Sequence, residues 1–77
     1  MIELTDIRFI DGFIYFFVKG EEASGNAIFS CSTKEIVKCD NKKVDRGTLW
    51  RARKKIIQLI NEFGLVELPN NATYMYY

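Results

Sequence analysis

The dipeptide Asp11-Gly12 constrains this chain most, because it stands between two apolar runs in the stretch FIDGFIYFFV. Asp-Gly favours the two-residue β-hairpin turn, whose central residues both take positive φ angles. Such a turn pairs Ile10 with Phe13, and the pairing continues outward along both strands. Because side chains alternate between the two faces of a strand, the sequence predicts a hairpin with two different faces.

The two faces of this hairpin differ in composition. The apolar face is predicted to point into the core and carries Ile7, Phe9, Ile14, Phe16 and Val18. The other face is mixed, with one basic residue among apolar and aromatic ones, and carries Arg8, Ile10, Phe13, Tyr15 and Phe17. Large exposed apolar patches mark interaction sites. We therefore predict that Ile10, Phe13, Tyr15 and Phe17 bind a protein partner or a second copy of the chain.

A second hairpin is predicted after the polar connection 20–26, from the segments AIFSCS and IVKCD around the turn TKE. A three-residue turn pairs Cys31 with Val37. In that register the core face carries Ala27, Phe29, Cys31, Val37 and Cys39. The opposite face includes Ile28 and Ile36, which would extend the aromatic face of the first hairpin.

The two cysteines of the chain, Cys31 and Cys39, share a face in this register but lie diagonally, which is a poor geometry for a disulfide. A different turn length would pair them directly, so a disulfide is disfavoured rather than excluded. The chain has no histidine and no third thiol, and zinc sites take four such ligands. We therefore expect reduced thiols, no metal site and no cofactor.

Residues 45–63 predict an amphipathic helix with Asp45 as its N-cap and Gly64 as its C-cap. At about 100° per residue the apolar side chains form one stripe, which consists of Leu49, Ala52, Ile56, Leu59, Ile60 and Phe63, with Trp50 and Ile57 on one flank. Arg53 falls inside the widened stripe. We expect it to stack on Trp50 or to pair with a strand carboxylate while its stem covers apolar surface.

The last segment, 72–77, is rich in strand-forming residues and predicts an edge strand. The chain is therefore predicted to be a single α+β domain of residues 1–77. Its element order is β-β-β-β-α-β, with two hairpins over 1–40 and one helix packed across one face of an antiparallel sheet. The helix leaves the other face uncovered. The alternative is that Tyr74, Met75, Tyr76 and Tyr77 fold back over part of that face.

Basic charge is concentrated between residues 42 and 55, where seven lysines and arginines face a single acid, although the net charge of the whole chain is only +1. Cations near a helix N-terminus cost about 0.3–1 kcal/mol each when exposed, so their placement there hints at function. The exposed set is predicted to bind an anionic partner or nucleic acid and consists of Lys42, Lys43, Arg46, Arg51, Lys54 and Lys55. The alternative is a solvated face that keeps a small protein soluble.

No set of residues forms a recognisable catalytic or phosphate-binding motif, so we expect no enzyme, and enzymatic activity remains only a residual hypothesis. No apolar run approaches the ~20 residues of a membrane span, and acids stand where a signal peptide would be basic. We therefore expect a cytoplasmic protein without membrane contact.

The functional hypothesis is a small protein-interaction module, either homodimeric or acting as an inhibitor or adaptor of a larger protein. The alternative is a nucleic-acid-binding domain that uses the basic cluster. Sheets that read DNA carry arginine, lysine or asparagine, whereas this one offers phenylalanines, and the pI of about 7.7 is below the basic signature of such domains.

Overall fold

A computed structural model describes residues 1–75 of the chain. The elements in chain order are β1 (Ile2–Ile10), β2 (Phe13–Lys19), β3 (Ser24–Ser30), β4 (Glu35–Cys39), α1 (Arg46–Phe63) and β5 (Ala72–Tyr74). The five strands form one antiparallel sheet in the order β4-β3-β2-β1-β5, and α1 packs against one face of it. The predicted α+β fold is confirmed. Within this part of the chain no helix is both long and apolar enough to cross a membrane.

The first hairpin has the predicted register from its turn to the Arg8–Tyr15 pair. Asp11 and Gly12 have φ angles of 49° and 85°, as a two-residue turn requires, and Ile10 lies opposite Phe13. A β-bulge interrupts the β1–β2 pairing between Thr5 and Arg8. On the predicted core face Ile7, Ile14, Phe16 and Val18 are buried, whereas Phe9, near the turn, stays exposed.

The predicted register of the second hairpin is wrong. Residues 31–34 form a four-residue turn with Lys34 at a φ of 59°, and the backbone N–H of Lys34 donates to the carbonyl of Ser30 at 2.8 Å. Phe29 therefore lies opposite Ile36, and a bulge leaves Val37 without a cross-strand partner. The two side chains exchange the predicted faces, since Ile36 packs against the core and Val37 is 55% exposed.

Both cysteines are free and only partly buried, and both pack against the core. The core lies between the helix and the sheet. Its buried apolar side chains are Ile2, Leu4, Ile7, Ile14, Phe16, Val18, Ala27, Phe29, Val44, Ala52, Ile56 and Leu59. Every strand but the edge strands β4 and β5 contributes fully buried residues, so burial of this one face stabilises the sheet and the helix together.

The helix begins and ends as predicted. The side chain of Asp45 accepts a hydrogen bond from the backbone N–H of Thr48 at 2.7 Å, and Gly64, at a φ of 79°, donates its N–H to the carbonyl of Ile60 at 2.8 Å. The buried stripe is narrower than predicted. Trp50 is 54% exposed, because two helical residues turn about 200° and place it almost opposite the buried Ala52.

The C-terminal segment forms the predicted edge strand over Ala72–Tyr74, paired with β1. Tyr74 lies directly opposite the fully buried Ile2, so its side chain is on the helix side of the sheet. The alternative in which Tyr74 folds back over the other face is therefore wrong. Tyr76 and Tyr77, which the sequence also assigned to this strand, lie outside the described residues.

Candidate functional site

The sheet face that α1 leaves uncovered carries a row of aromatic side chains along its central strand. Phe13, Tyr15 and Phe17 alternate with the buried residues of β2, and β2 is the third of five strands. Ile10 lies opposite Phe13 on β1, and Ile28 lies opposite Tyr15 on β3. We call these five residues the open face.

The open face therefore brings together all four residues that the sequence predicted as partner-binding there. Ile10 is 48% exposed and Phe13 is 39% exposed, whereas Tyr15 and Phe17 are half-buried by their neighbours. Among residues 1–75 no helix or strand packs over them. The proposed extension by Ile36 is wrong, because the bulge in β4 turns that residue to the helix side.

Charged side chains frame the aromatic row. Arg8 lies opposite Tyr15 with its guanidinium carbon 5.8 Å from the ring centroid, and it donates to the carboxylate of Asp6 at 2.9 Å. Lys38 lies opposite Ile28 and ends the same cross-strand row. A shallow hollow of about 230 Å³ lies between these cations, so a partner group would meet apolar surface bordered by positive charge.

Asp40 closes the other end of this hollow and is held in place by Asn26. Its carboxylate accepts hydrogen bonds from the backbone N–H of Asn26 at 2.8 Å and from the side-chain amide at 3.0 Å. The side-chain bond, followed by the backbone bond, contributes most to lowering the pKa of Asp40 below its usual value. The carboxylate is therefore a fixed, ionised feature at neutral pH.

The six predicted basic residues differ in the residues that surround them. Lys43 and Arg51 line a hollow together with the acids Glu21, Glu22 and Asp45. The charge of Arg51 contributes, after the Thr48 hydrogen bonds, to lowering the pKa of Asp45. On this flank of the helix, acidic side chains within the chain already offset part of the positive charge.

The remaining basic residues lie around the helix. Arg46 is on the opposite flank, beside Arg53. Lys54 places its Nζ 4.5 Å from the centroid of the Trp50 ring, and Lys55 donates to the side-chain oxygen of Gln58 at 3.4 Å. Lys42 is exposed in the loop that precedes the helix.

The side chain of Arg53 connects the helix to the second hairpin by a hydrogen bond and an ion pair. Its Nε donates to the backbone carbonyl of Lys34 at 2.7 Å and lies 3.6 Å from a carboxylate oxygen of Glu35. The prediction that it pairs with a strand carboxylate is confirmed. The alternative was that Arg53 stacks on Trp50, but the cation recorded over that ring is Lys54, and the Nε of Arg53 is directed to Lys34 and Glu35.

Sequence reasoning missed a groove between β4 and α1. It is lined by Glu35, Ile36, Arg46, Leu49, Trp50 and Arg53. The wrong register of the second hairpin had placed Ile36 on the other side of the sheet. The sequence does contain one indication of this groove: Trp50 lies about 160° from Ala52 around the helix, which predicts that its side chain is exposed.

Burial raises the pKa of the Cys31 thiol, which keeps it protonated at neutral pH. No cluster of histidine, cysteine and carboxylate side chains suited to a metal ion occurs within residues 1–75.

The fold and these surfaces define a small α+β domain whose antiparallel sheet, over the described residues, is covered by a helix on one face only. No protein-family model, curated protein or solved structure matches the chain.

Proposed function

We propose that this protein is a non-enzymatic interaction module that pairs with a second copy of itself through the open face. The observation that carries the proposal is the uncovered row of Phe13, Tyr15 and Phe17 on the central strand. Phenylalanine and tyrosine are enriched in protein interfaces, since they bury a large area at a small cost in side-chain entropy. Covering a sheet face of this kind with a second apolar surface lowers the free energy, because apolar area is removed from water.

The size of the sheet agrees with a modest dimer. The strands are 9, 7, 7, 5 and 3 residues long. At about 3.3 Å per residue and about 4.8 Å between strands they present a face of roughly 490 Å². Two such faces bury on the order of 1,000 Å², which is below the standard range and typical of weak, transient interfaces. We therefore expect a reversible dimer of micromolar rather than nanomolar affinity.

Pairing through the open face leaves the helix and its flanks accessible, and we propose that these surfaces serve the adaptor or inhibitor role. The basic residues at the start of α1 suit an acidic protein partner. Electrostatic complementarity of this kind raises the association rate and the specificity more than the affinity.

The dimer is tested by size-exclusion chromatography with light scattering. The wild-type chain is expected to give twice its monomer mass of 9.0 kDa, and Phe17→Asp or Tyr15→Asp is expected to give the monomer mass, because pairing would bury an unpaired charge. The matched control is Val66→Asp, which places the same charge at an apolar residue that is 93% exposed and outside the open face.

Circular dichroism of each variant measures whether the fold is kept. We expect that it is, because Tyr15 and Phe17 point away from the core. A wild-type chain that stays monomeric at about 1 mM, far above a micromolar Kd, would overturn the proposal. So would folded Tyr15→Asp and Phe17→Asp variants that remain dimeric.

A further inference from the structure

A second surface lies in the groove between β4 and the first half of α1, which we call the β4–α1 groove. Its floor is apolar and consists of Ile36, Leu49 and Trp50, and its rim carries Arg46, Arg53 and Glu35. The groove has a volume of about 370 Å³. It lies on the helix side of the sheet and is separate from the open face.

Trp50 is the only tryptophan of the chain and is 54% exposed. Its ring borders the groove on one side, and tryptophan is the residue most enriched among those that dominate interface energies. The other side of the groove is formed by β4, an edge strand that pairs only with β3 among the described strands. An unpaired strand edge offers backbone N–H and C=O groups to an extended chain.

The charges at the groove favour an acidic occupant. The side chain of Arg46 forms no hydrogen bond or ion pair with another residue in the described range. Arg53 uses its Nε for the carbonyl of Lys34, and its weaker contact with Glu35 measures 3.6 Å. Lys54 lies over the Trp50 ring. Two cations, Arg46 and Arg53, therefore line the groove with one acid, Glu35, which leaves an excess of positive charge.

We propose that the β4–α1 groove binds an extended acidic peptide segment of a partner protein. The peptide main chain lies along the outer edge of β4, and an aliphatic side chain packs on Ile36, Leu49 and Trp50. Flanking carboxylates pair with the guanidinium groups of Arg46 and Arg53, which suit carboxylates geometrically. A peptide fits better than a nucleic acid because two of the three floor residues are aliphatic, and only Trp50 could stack on a base.

The single tryptophan makes the proposal directly measurable. We would titrate the protein with the capped hexapeptide Asp-Glu-Leu-Ile-Glu-Asp and follow the intrinsic fluorescence of Trp50. The expected result is a saturable change in intensity or emission maximum, with a Kd between about 10 µM and 1 mM, as is common for short peptides. The capped peptide Lys-Lys-Leu-Ile-Lys-Lys has the same apolar centre with reversed charge and is expected to give no saturable change.

Variants of Arg46 separate binding from folding. Arg46→Glu is expected to weaken binding of the acidic peptide about tenfold, by loss of one attraction and gain of one repulsion. The fold should be kept, because a carboxylate is favoured in the first helical turn. Arg46→Lys is expected to bind within about threefold of wild type, since the charge remains. The matched control Lys19→Glu makes the same change in net charge at an exposed residue of β2 and should leave the Kd unchanged.

Three outcomes would overturn the proposal: no saturable change with the acidic peptide up to about 1 mM, equal weakening by Lys19→Glu, or a salt-sensitive response to a single-stranded oligonucleotide that exceeds the response to the peptide. The same titration on Phe17→Asp separates this proposal from the proposed dimer. A monomeric Phe17→Asp variant that still binds the peptide supports both proposals. A wild-type chain that is monomeric but binds the peptide contradicts only the dimer.

Discussion

At the residue scale, Gly47 and Gly64 show that the effect of replacing a glycine depends on the backbone conformation at its position. Gly47 lies in the first turn of α1, where a Cβ would lie 3.2 Å from a guanidinium nitrogen of Arg51 and 3.6 Å from a carboxylate oxygen of Asp45, with no backbone atom among these contacts. Gly64 ends the helix at φ 79° and ψ 168°, a conformation that is essentially restricted to glycine.

We therefore expect the same substitution to have opposite effects at these two residues. Gly47→Ala should raise the free energy of unfolding by a few tenths to about 1 kcal/mol, since alanine loses less backbone entropy in a helix. Gly64→Ala should lower it by about 1–3 kcal/mol, because the left-handed backbone strains a Cβ. Urea unfolding of both variants beside the wild type measures the difference, and changes of the same sign would contradict the assignment of the C-cap.

The residues of the open face were predictable because their positions follow from one turn. Once Asp11-Gly12 sets the pairing, alternation places Phe13, Tyr15 and Phe17 together without any knowledge of the rest of the fold. Trp50 was not predictable in the same way. A large apolar residue beside an apolar helical stripe suggests core, and this outweighed the helical position of Trp50, which is about 160° from the buried Ala52.

At the scale of elements, the two hairpins differ in how far local chemistry determines them. The first has a glycine at a positive φ angle in its turn, and its register was predicted correctly from the turn to the Arg8–Tyr15 pair. Farther from the turn, the bulge with Asp6 at a φ of 55° was not predicted. The second depends on Lys34 in the left-handed region and on a bulge at Val37. Neither residue type signals such a conformation, since a non-glycine residue takes a positive φ angle only when its surroundings hold it there. The Arg53 hydrogen bond to the carbonyl of Lys34 belongs to those surroundings.

Two carboxylates, the helix cap Asp45 and the strand-end residue Asp40, give the stability of the fold a measurable pH dependence. The backbone N–H of Thr48, followed by its side chain, lowers the pKa of Asp45, and Asn26 does the same for Asp40. A carboxyl with a lowered pKa in the folded state stabilises the fold fully above its unfolded pKa of about 3.9. We therefore expect the free energy of unfolding to be nearly constant from pH 7 to about pH 5 and to fall below about pH 4.

The variant Asp45→Asn isolates the contribution of the helix cap. Asparagine caps a helix about as well as aspartate at neutral pH but does not titrate. Urea unfolding between pH 7 and about pH 3 should therefore give a shallower loss of stability for the variant than for the wild type. Parallel losses in the two proteins would show that Asp45 does not contribute to the acid sensitivity.

For the whole molecule, the distribution of charge matters more than its total. Residues 42–55 are strongly basic in sequence, but folding distributes them around the helix and brings Glu21 and Glu22 beside Lys43 and Arg51. Nucleic-acid binding needs several cations that reach the phosphates of one strand or groove together. Because Glu21 and Glu22 offset part of the positive charge, we expect the cluster to bind an acidic protein segment rather than a nucleic acid.

We accordingly expect no salt-dependent binding of single- or double-stranded DNA or RNA at low ionic strength. Fluorescence anisotropy with labelled oligonucleotides at about 20 mM and 200 mM salt measures this, because each phosphate contact adds to the salt dependence. Binding that is lost in the double variant Lys54→Glu and Lys55→Glu, but kept when Lys19→Glu and Lys34→Glu are combined, would restore the nucleic-acid hypothesis for the basic cluster.

The sequence by itself determined the order of the elements, the first hairpin with its aromatic face, and both ends of the helix. These features depend on turn, cap and periodicity rules that operate within a few residues. Only the tertiary structure decided the register of β4, the acids that lie beside Lys43 and Arg51, and the groove between β4 and α1. These features depend on contacts between residues far apart in the chain, which rules for turns, caps and periodicity do not describe.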